Sequence, residues 1–298
     1  MEEKQFKAML SLLDDKDSFV YQTVEDNLMN MGMDVIPKLE SVWENTMNPF
    51  LHQRIENIIQ KIQFSYSKNN LKHWISDGAI DLLLGAFWIA KYQYPDLKLE
   101  VIQNQIDKIY QDVLEEMPEH VTPLQKIRVI NHIFFDIYQL AGNNTNFFAP
   151  QNSYINHVLE SKKGNPITLA IIYLTIAQRI GLPVFGVNLP KNFILVFKEV
   201  QNGPFQTDEN PLSDVLFYIN PYNKGAVLGK REIDSFLTQQ KIAPNDSFYL
   251  SCSNDIIIQR LIHNLIVSYE QLGYPDKIED LRIFEKLFRN PLSDDIPY

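Results

Sequence analysis

The sequence predicts an α+β fold that is mostly α: a helical N-terminal part, a core holding one small sheet, and a C-terminal helical hairpin. Three observations carry this. Apolar residues recur at helical spacing through most of the 298 residues. Strand-like alternation is confined to roughly 183–220. Two apolar stripes at helical spacing, separated by Gly273-Tyr274-Pro275-Asp276, close the chain.

Residues 16–66 divide into consecutive short helices. Val20, Val24, Leu28 and Met31 form one stripe, stopped by Gly32; Ile36, Leu39, Val42 and Trp43 form a second; Ile55, Ile58, Ile59 and Ile62 form a third. Such helices with brief turns resemble HEAT-type pairs, and an unrelated helical cap fits them equally well. Lys68-Asn69-Asn70 suits a joint. Longer helical patterns follow at 75–92, 97–117 and 122–140, punctuated by Pro95 and Pro118, with Pro123 at a helix start behind Thr122. Their broad apolar faces mean a bundle core.

A polar loop, Gly142-Asn143-Asn144-Thr145-Asn146, precedes a short helix at 152–160. Gly164-Asn165-Pro166 then opens a strongly apolar helix through Ile180, with Asn165 as N-cap, Pro166 at the first helical position and Gly181 as stop. Strands are predicted at 184–188, 193–200 and 215–219. Between the last two lies a loop at 201–214, rich in Pro, Gly and acidic residues. Gly225 and Gly229 mark turns before a short helix at 231–237.

Composition narrows the chemistry. A formal charge of −10 argues against non-specific nucleic-acid binding, which needs clustered Lys and Arg. The single cysteine, Cys252, excludes an internal disulfide framework and any multi-thiolate zinc site. The six histidines show no His-x-x-x-His spacing, so no metal or other cofactor is expected. The opening Met1-Glu2-Glu3-Lys4 has no apolar stretch of signal-peptide type, and no apolar run is long enough to span a bilayer. A cytoplasmic protein with no membrane or nucleic-acid partner is the expectation.

The stretch from Asn152 to Lys224 carries a family pattern. It reads Asn152-Ser153-Tyr154-Ile155, Gly164-Asn165-Pro166-Ile167-Thr168-Leu169, Gly186-Val187-Asn188-Leu189-Pro190 and Ile219-Asn220-Pro221-Tyr222. In order and spacing this resembles the SirB-type branch of the transglutaminase-like superfamily. The resemblance covers roughly 70–290 and implies a degenerate transglutaminase-like core with a small antiparallel sheet, ending in a TPR-like hairpin. The implied domains are 1–68, HEAT-like; 69–250, SirB-type (helical 69–141, core 142–250); and 251–298, the hairpin.

In that superfamily a cysteine at a helix N-terminus is the nucleophile, because the dipole and free N–H groups stabilise its thiolate. A strand histidine takes the proton, and an aspartate on the next strand orients it. The resemblance places Pro166 in the nucleophile position, Asn192 in the histidine position and Asn220 in the aspartate position. Proline offers no nucleophile, and a carboxamide accepts no proton near neutral pH. A two-residue slip of the alignment supplies only the hydroxyl of Thr168.

The sequence therefore points first to a non-catalytic module for protein interaction or regulation. Asn152, Asn188, Asn192 and Asn220, with Tyr222, are expected to converge on the old active-site cleft at the N-terminal end of the 166–180 helix, where free N–H groups await an acceptor. Amides both donate and accept, which suits holding a peptide backbone without cutting it. The competing reading is that each amide satisfies a local turn. Two other functions stay open. A thiol hydrolase or transferase with relocated residues would rely on Cys252, its thiol lowered by the helix start after it, and on His157. A small-ligand-binding domain would reuse the cleft.

Overall fold

Local caps explain where each helix begins in the computed structural model, which describes residues 3–199 and 212–288. α1 (Glu3–Leu12) precedes α2 (Ser18–Asn30), whose N-cap Asp17 accepts from the Phe19 amide at 2.8 Å. A 3-10 turn leads into α3 (Ile36–Asn45), and α4 (Pro49–Ser76) follows. Leu13, Leu28, Val35, Leu39, Ile55 and Ile58 are fully sealed from solvent and form the core of the first of two compact units, Met1–Asn70. Arg54 of α4 donates to the carbonyls of Leu13 and Asp15 at 2.6 and 2.8 Å, tying the α1–α2 turn to that core.

The first compact unit ends at the tripeptide Lys68-Asn69-Asn70, where a joint was expected, but α4 carries the chain through it as unbroken helix. The chain turns instead at Gly78 and Ala79, at φ +88° and +53°. The helix expected over 75–92 is thus the end of α4 and a separate α5 (Leu82–Gln93), capped by Asp81. Periodicity alone joins them because both faces are apolar.

The second unit, Leu71–Tyr298, continues with α6 (Leu99–Glu116) and α7 (Pro123–Asn131). Thr122 and Gln125 form a capping box at the start of α7. The helix expected to reach residue 140 changes at Asn131 into a π-helical segment, His132–Ile137, with Tyr138 N–H donating to the Ile133 carbonyl at 2.9 Å. The wider turn keeps three consecutive residues, Ile133, Phe134 and Phe135, buried together.

β1 (Ala141–Gly142) and β2 (Lys163–Gly164) pair in parallel on either side of α8 (Ile155–Ser161). Residues 150–153 form a 3-10 turn, so the predicted 152–160 helix starts later than its apolar pattern suggests. α9 (Pro166–Arg179) begins as predicted on Asn165 and stops at Gly181, φ +74°. Every residue from Pro166 to Ala177 is buried, as an all-round apolar helix requires.

Four strands make the main sheet in sequence order, all antiparallel: β3 (Val184–Val187), β4 (Ile194–Lys198), β5 (Val215–Asn220) and β6 (Ala226–Leu228). Val184 faces Phe197, Leu195 faces Ile219 and Asn220 faces Ala226. The first three strands match the prediction, except that residue 200 and residues 201–211 of the predicted loop lie outside the described residues. The three residues of β6 are too few to reveal a period.

α9 packs against β3 and β4 and against α5 and α6. α10 (Lys230–Gln239) adds Ile233 and Leu237 to a buried cluster with Val187, Ile194, Val196 and Tyr218. The hairpin of α11 (Asn254–Leu272) and α12 (Pro275–Glu285) turns at Gly273, and α11 packs on α5 and α9. Among the described residues no helix is long and apolar enough to cross a membrane.

Candidate functional site

A cavity of about 230 Å³ lies at the N-terminal end of α9, within the second unit. Asn165 and Pro166 contribute the helix end; Lys191, Asn192 and Phe193 the turn into β4; Phe147 and Phe148 the loop before α8; and Arg260, Asn264, Val267 and Ser268 one face of α11.

The helix end is fixed by Asn165, only 6% exposed. Its Oδ1 accepts from the Thr168 amide at 2.9 Å and the Thr168 hydroxyl at 3.0 Å, while its Nδ2 donates to Ser153 Oγ at 2.7 Å. This corrects the expectation of a donor-rich helix start. Pro166 has no N–H, and the Thr168 N–H is already taken by the cap.

On the β3–β4 turn, Lys191 sits in the left-handed region at φ +59° and is exposed at the pocket. Asn192 is half-buried and lines the cavity; its Oδ1 accepts from the Phe193 amide at 2.8 Å. From α11 comes Arg260, 4% exposed, whose guanidinium donates to Asn188 Oδ1 at 3.2 Å. Burial pushes the Arg260 pKa down to about 10, so it stays a cation at neutral pH. Phe147 and Phe148 stand edge to face, with centroids 5.1 Å apart.

Of the seven predicted residues, Pro166 and Asn192 line the cavity. The other five are not among its lining residues. Asn152 accepts from Asn143 Nδ2 and donates to the carbonyls of Asn146 and Phe147 at 2.7 and 3.0 Å, pinning the loop that carries Phe147. Thr168 is engaged with Asn165, and Asn188 with Arg260. Tyr222 donates to Asn144 Oδ1 at 2.8 Å and sets its ring edge-on to Phe147. Asn220 accepts from the amides of Tyr222 and Asn223, capping a 3-10 turn. The expected convergence of amides thus reduces to Asn192; Asn152, Asn188 and Asn220 are occupied by internal bonds.

Cys252 and His157 do not form a catalytic pair. The Cys252 N–H donates to the Gly186 carbonyl at 2.8 Å beside β3, and burial pushes its thiol up to about 12. Desolvation therefore outweighs the helix start that was expected to lower it. The His157 ring contacts Ser161 of its own helix at 3.4 Å. His263 is held by Glu285 at 3.3 Å. Among the described residues, no three His, Cys, Asp or Glu side chains gather to hold a metal ion.

Sequence reasoning missed the wall made by α11. Arg260, Asn264 and Ser268 recur at i, i+4 and i+8 along an otherwise apolar helix, a polar line that could have been read beside the apolar stripe. The Phe147-Phe148 pair next to a polar loop was the other available signal.

Compared with known proteins, residues 100–263 match the transglutaminase-like superfamily. A UPF0162 protein of Xylella fastidiosa (strain Temecula1 / ATCC 700964) is 30% identical over 55% of this chain and 54% of its own length. A UPF0162 protein of Vibrio cholerae is 22% identical over 55% of this chain and 56% of its own. F-box only protein 21 of Homo sapiens is 27% identical over 72% of this chain and 37% of its own. The chain spans about half the length of the UPF0162 relatives it matches. No solved structure gives a significant match.

Proposed function

Since the chain belongs to the transglutaminase-like superfamily and its helix-start and strand-turn positions hold Pro166 and Asn192, we propose that it is a non-catalytic module that binds a protein or peptide partner. The observation supporting this is that these two residues share one walled cavity while neither can act as nucleophile or base. The chemistry has been replaced, but a concave site with a half-buried amide donor is present where catalysis would occur. A carboxamide there can hold a carbonyl or carboxylate without transferring a proton. The rival thiol-enzyme reading loses its material, because a Cys252 thiol titrating near 12 is protonated at neutral pH.

Selection of a random-peptide display library on the full chain tests the proposal, with enriched peptides then titrated against wild type and Asn192→Ala. Loss of one hydrogen bond worth about 1 kcal/mol should weaken binding roughly fivefold, while thermal melting falls by no more than about 2–4 °C for the lost Oδ1 bond to the Phe193 amide. Equal affinity for the two proteins would contradict a role for this cavity.

A further inference from the structure

Deepening that binding reading, and resting on it, we propose that the cavity receives one aromatic side chain from the interior of a partner's extended segment, with Asn192 and Asn264 holding the N–H and C=O of that same residue.

Two sets of lining residues carry this. The first is aromatic. Phe147 and Phe148 are 40% and 43% exposed, yet their loop is held in place. Asn152 donates to the carbonyls of Asn146 and Phe147, and Tyr222, itself tied to Asn144, sets its ring edge-on to Phe147. Rings kept at the surface in a fixed position offer apolar area to a ligand at little ordering cost. A phenyl ring entering beside them gains edge-to-face partners, which an aliphatic side chain cannot use.

The second set is polar and neutral. Asn264 is half-buried on α11, and neither its Oδ1 nor its Nδ2 has a hydrogen-bond partner among the described residues; the same holds for Nδ2 of Asn192. These atoms are not sealed from solvent. The neighbouring polar groups are spent: Ser268 donates to the Asn264 backbone carbonyl at 2.9 Å, and Asn165 caps α9. An extended peptide residue presents one N–H and one C=O, and carboxamides answer both. The charged lining residues do not select the ligand. Arg260 is engaged with Asn188 and in further interactions within the protein, and Lys191 is exposed, where solvent screens its charge. A neutral occupant fits this balance.

Size agrees. An apolar cavity of about 150 Å³ suffices for benzene, and sites for drug-sized molecules run to roughly 300–1,000 Å³. At about 230 Å³ this cavity holds one phenyl ring with its own backbone.

NMR-detected titration of the full chain tests this with end-blocked, uncharged pentapeptides of the form acetyl-Gly-Ala-Phe-Ala-Gly-amide, in which the central residue is phenylalanine, leucine, alanine or N-methylphenylalanine. The phenylalanine peptide should bind about two- to tenfold more tightly than the leucine one, the margin of an aromatic pair. The alanine peptide should bind at least about tenfold more weakly. N-methylation, which removes the N–H, and Asn264→Ala should each weaken phenylalanine binding about fivefold. The double variant Asn192→Ala/Asn264→Ala should erase the N-methylation penalty, and Phe148→Leu should reduce the preference for phenylalanine over leucine. The peptide series needs only the wild-type chain, so the test stays decisive if a variant fails to fold. Equal affinity for the phenylalanine and leucine peptides, binding of none of the four, or an N-methylation penalty untouched by the double variant overturns the inference. If display-selected peptides still bind in an Asn192-dependent way after such a result, only the aromatic-residue assignment falls and the binding module stands; if they do not, both fall.

Discussion

Replacing Asn165 with alanine should destabilise the second unit by about 3 kcal/mol, because one side chain serves three buried partners. The N-cap bond to the Thr168 amide is worth about 1 kcal/mol. The Thr168 hydroxyl, on a fully buried residue, and the Ser153 hydroxyl, on a residue 1% exposed, each lose a partner at about 1 kcal/mol apiece. For a unit of this size each kcal/mol lowers Tm by about 2–4 °C, so a fall of about 6–12 °C is expected. Fluorescence-detected melting in a Trp43→Phe background isolates the signal, because Trp74 and Trp88 lie in the second unit and Trp43 in the first. Thr168→Val provides the control. It removes one of the three bonds in wild type but should cost about 1 kcal/mol less in the Asn165→Ala protein, where that bond is already gone. A melt within about 2 °C of wild type, or strict additivity of the two substitutions, would refute the assignment of Asn165 as the element fixing the floor of the cavity.

Three further outcomes follow from the same structure. Gly225→Ala should cost at least about 2 kcal/mol in urea unfolding: φ is +68°, and a Cβ would lie 2.0 Å from Asn131 Oδ1, the acceptor of the buried Tyr173 hydroxyl. Cys252, itself only half-buried, should react with iodoacetamide at about pH 8 roughly a thousandfold more slowly in the folded protein than in urea, since a thiol titrating near 12 rather than 9 carries that much less thiolate; equal rates would contradict the raised thiol. Burial holds His263 below the ordinary imidazole range, against an upward pull from Glu285. The unfolded chain therefore binds the proton more readily, so this contribution to stability is complete above about pH 6.5 and is lost as pH falls through the folded pKa. His263→Gln should flatten that part of the Tm profile.

The start of α9 was legible because cap, first-position proline and stop glycine all act within a few residues of Asn165, Pro166 and Gly181. Strands β3 to β5 were legible from alternation, and their antiparallel pairing from the family resemblance. The break at Gly78 was hidden because apolar residues continue on both sides of it, and the π-helical segment because a local widening leaves no compositional trace. The cavity was half legible. Position in the motif identified Pro166 and Asn192, whereas which amides face the groove depends on contacts distant in sequence. Asn188 is claimed by Arg260, seventy-two residues away, and Asn144 by Tyr222, seventy-eight residues on. Arg260 itself belongs to a hairpin whose apolar stripe suggested only packing.

Ammonia release from a glutamine-containing peptide, measured at about pH 8 for wild type and Cys252→Ser, tests most directly whether any thiol chemistry survives. Loss of a general base alone forfeits about 10²–10⁴ in rate, and in the proposed reading the nucleophile position holds Pro166 as well. Both proteins should stay at the no-protein background, with indistinguishable traces. Ammonia above background in wild type that disappears in Cys252→Ser would contradict the non-catalytic reading and return Cys252 to the centre of the protein's chemistry.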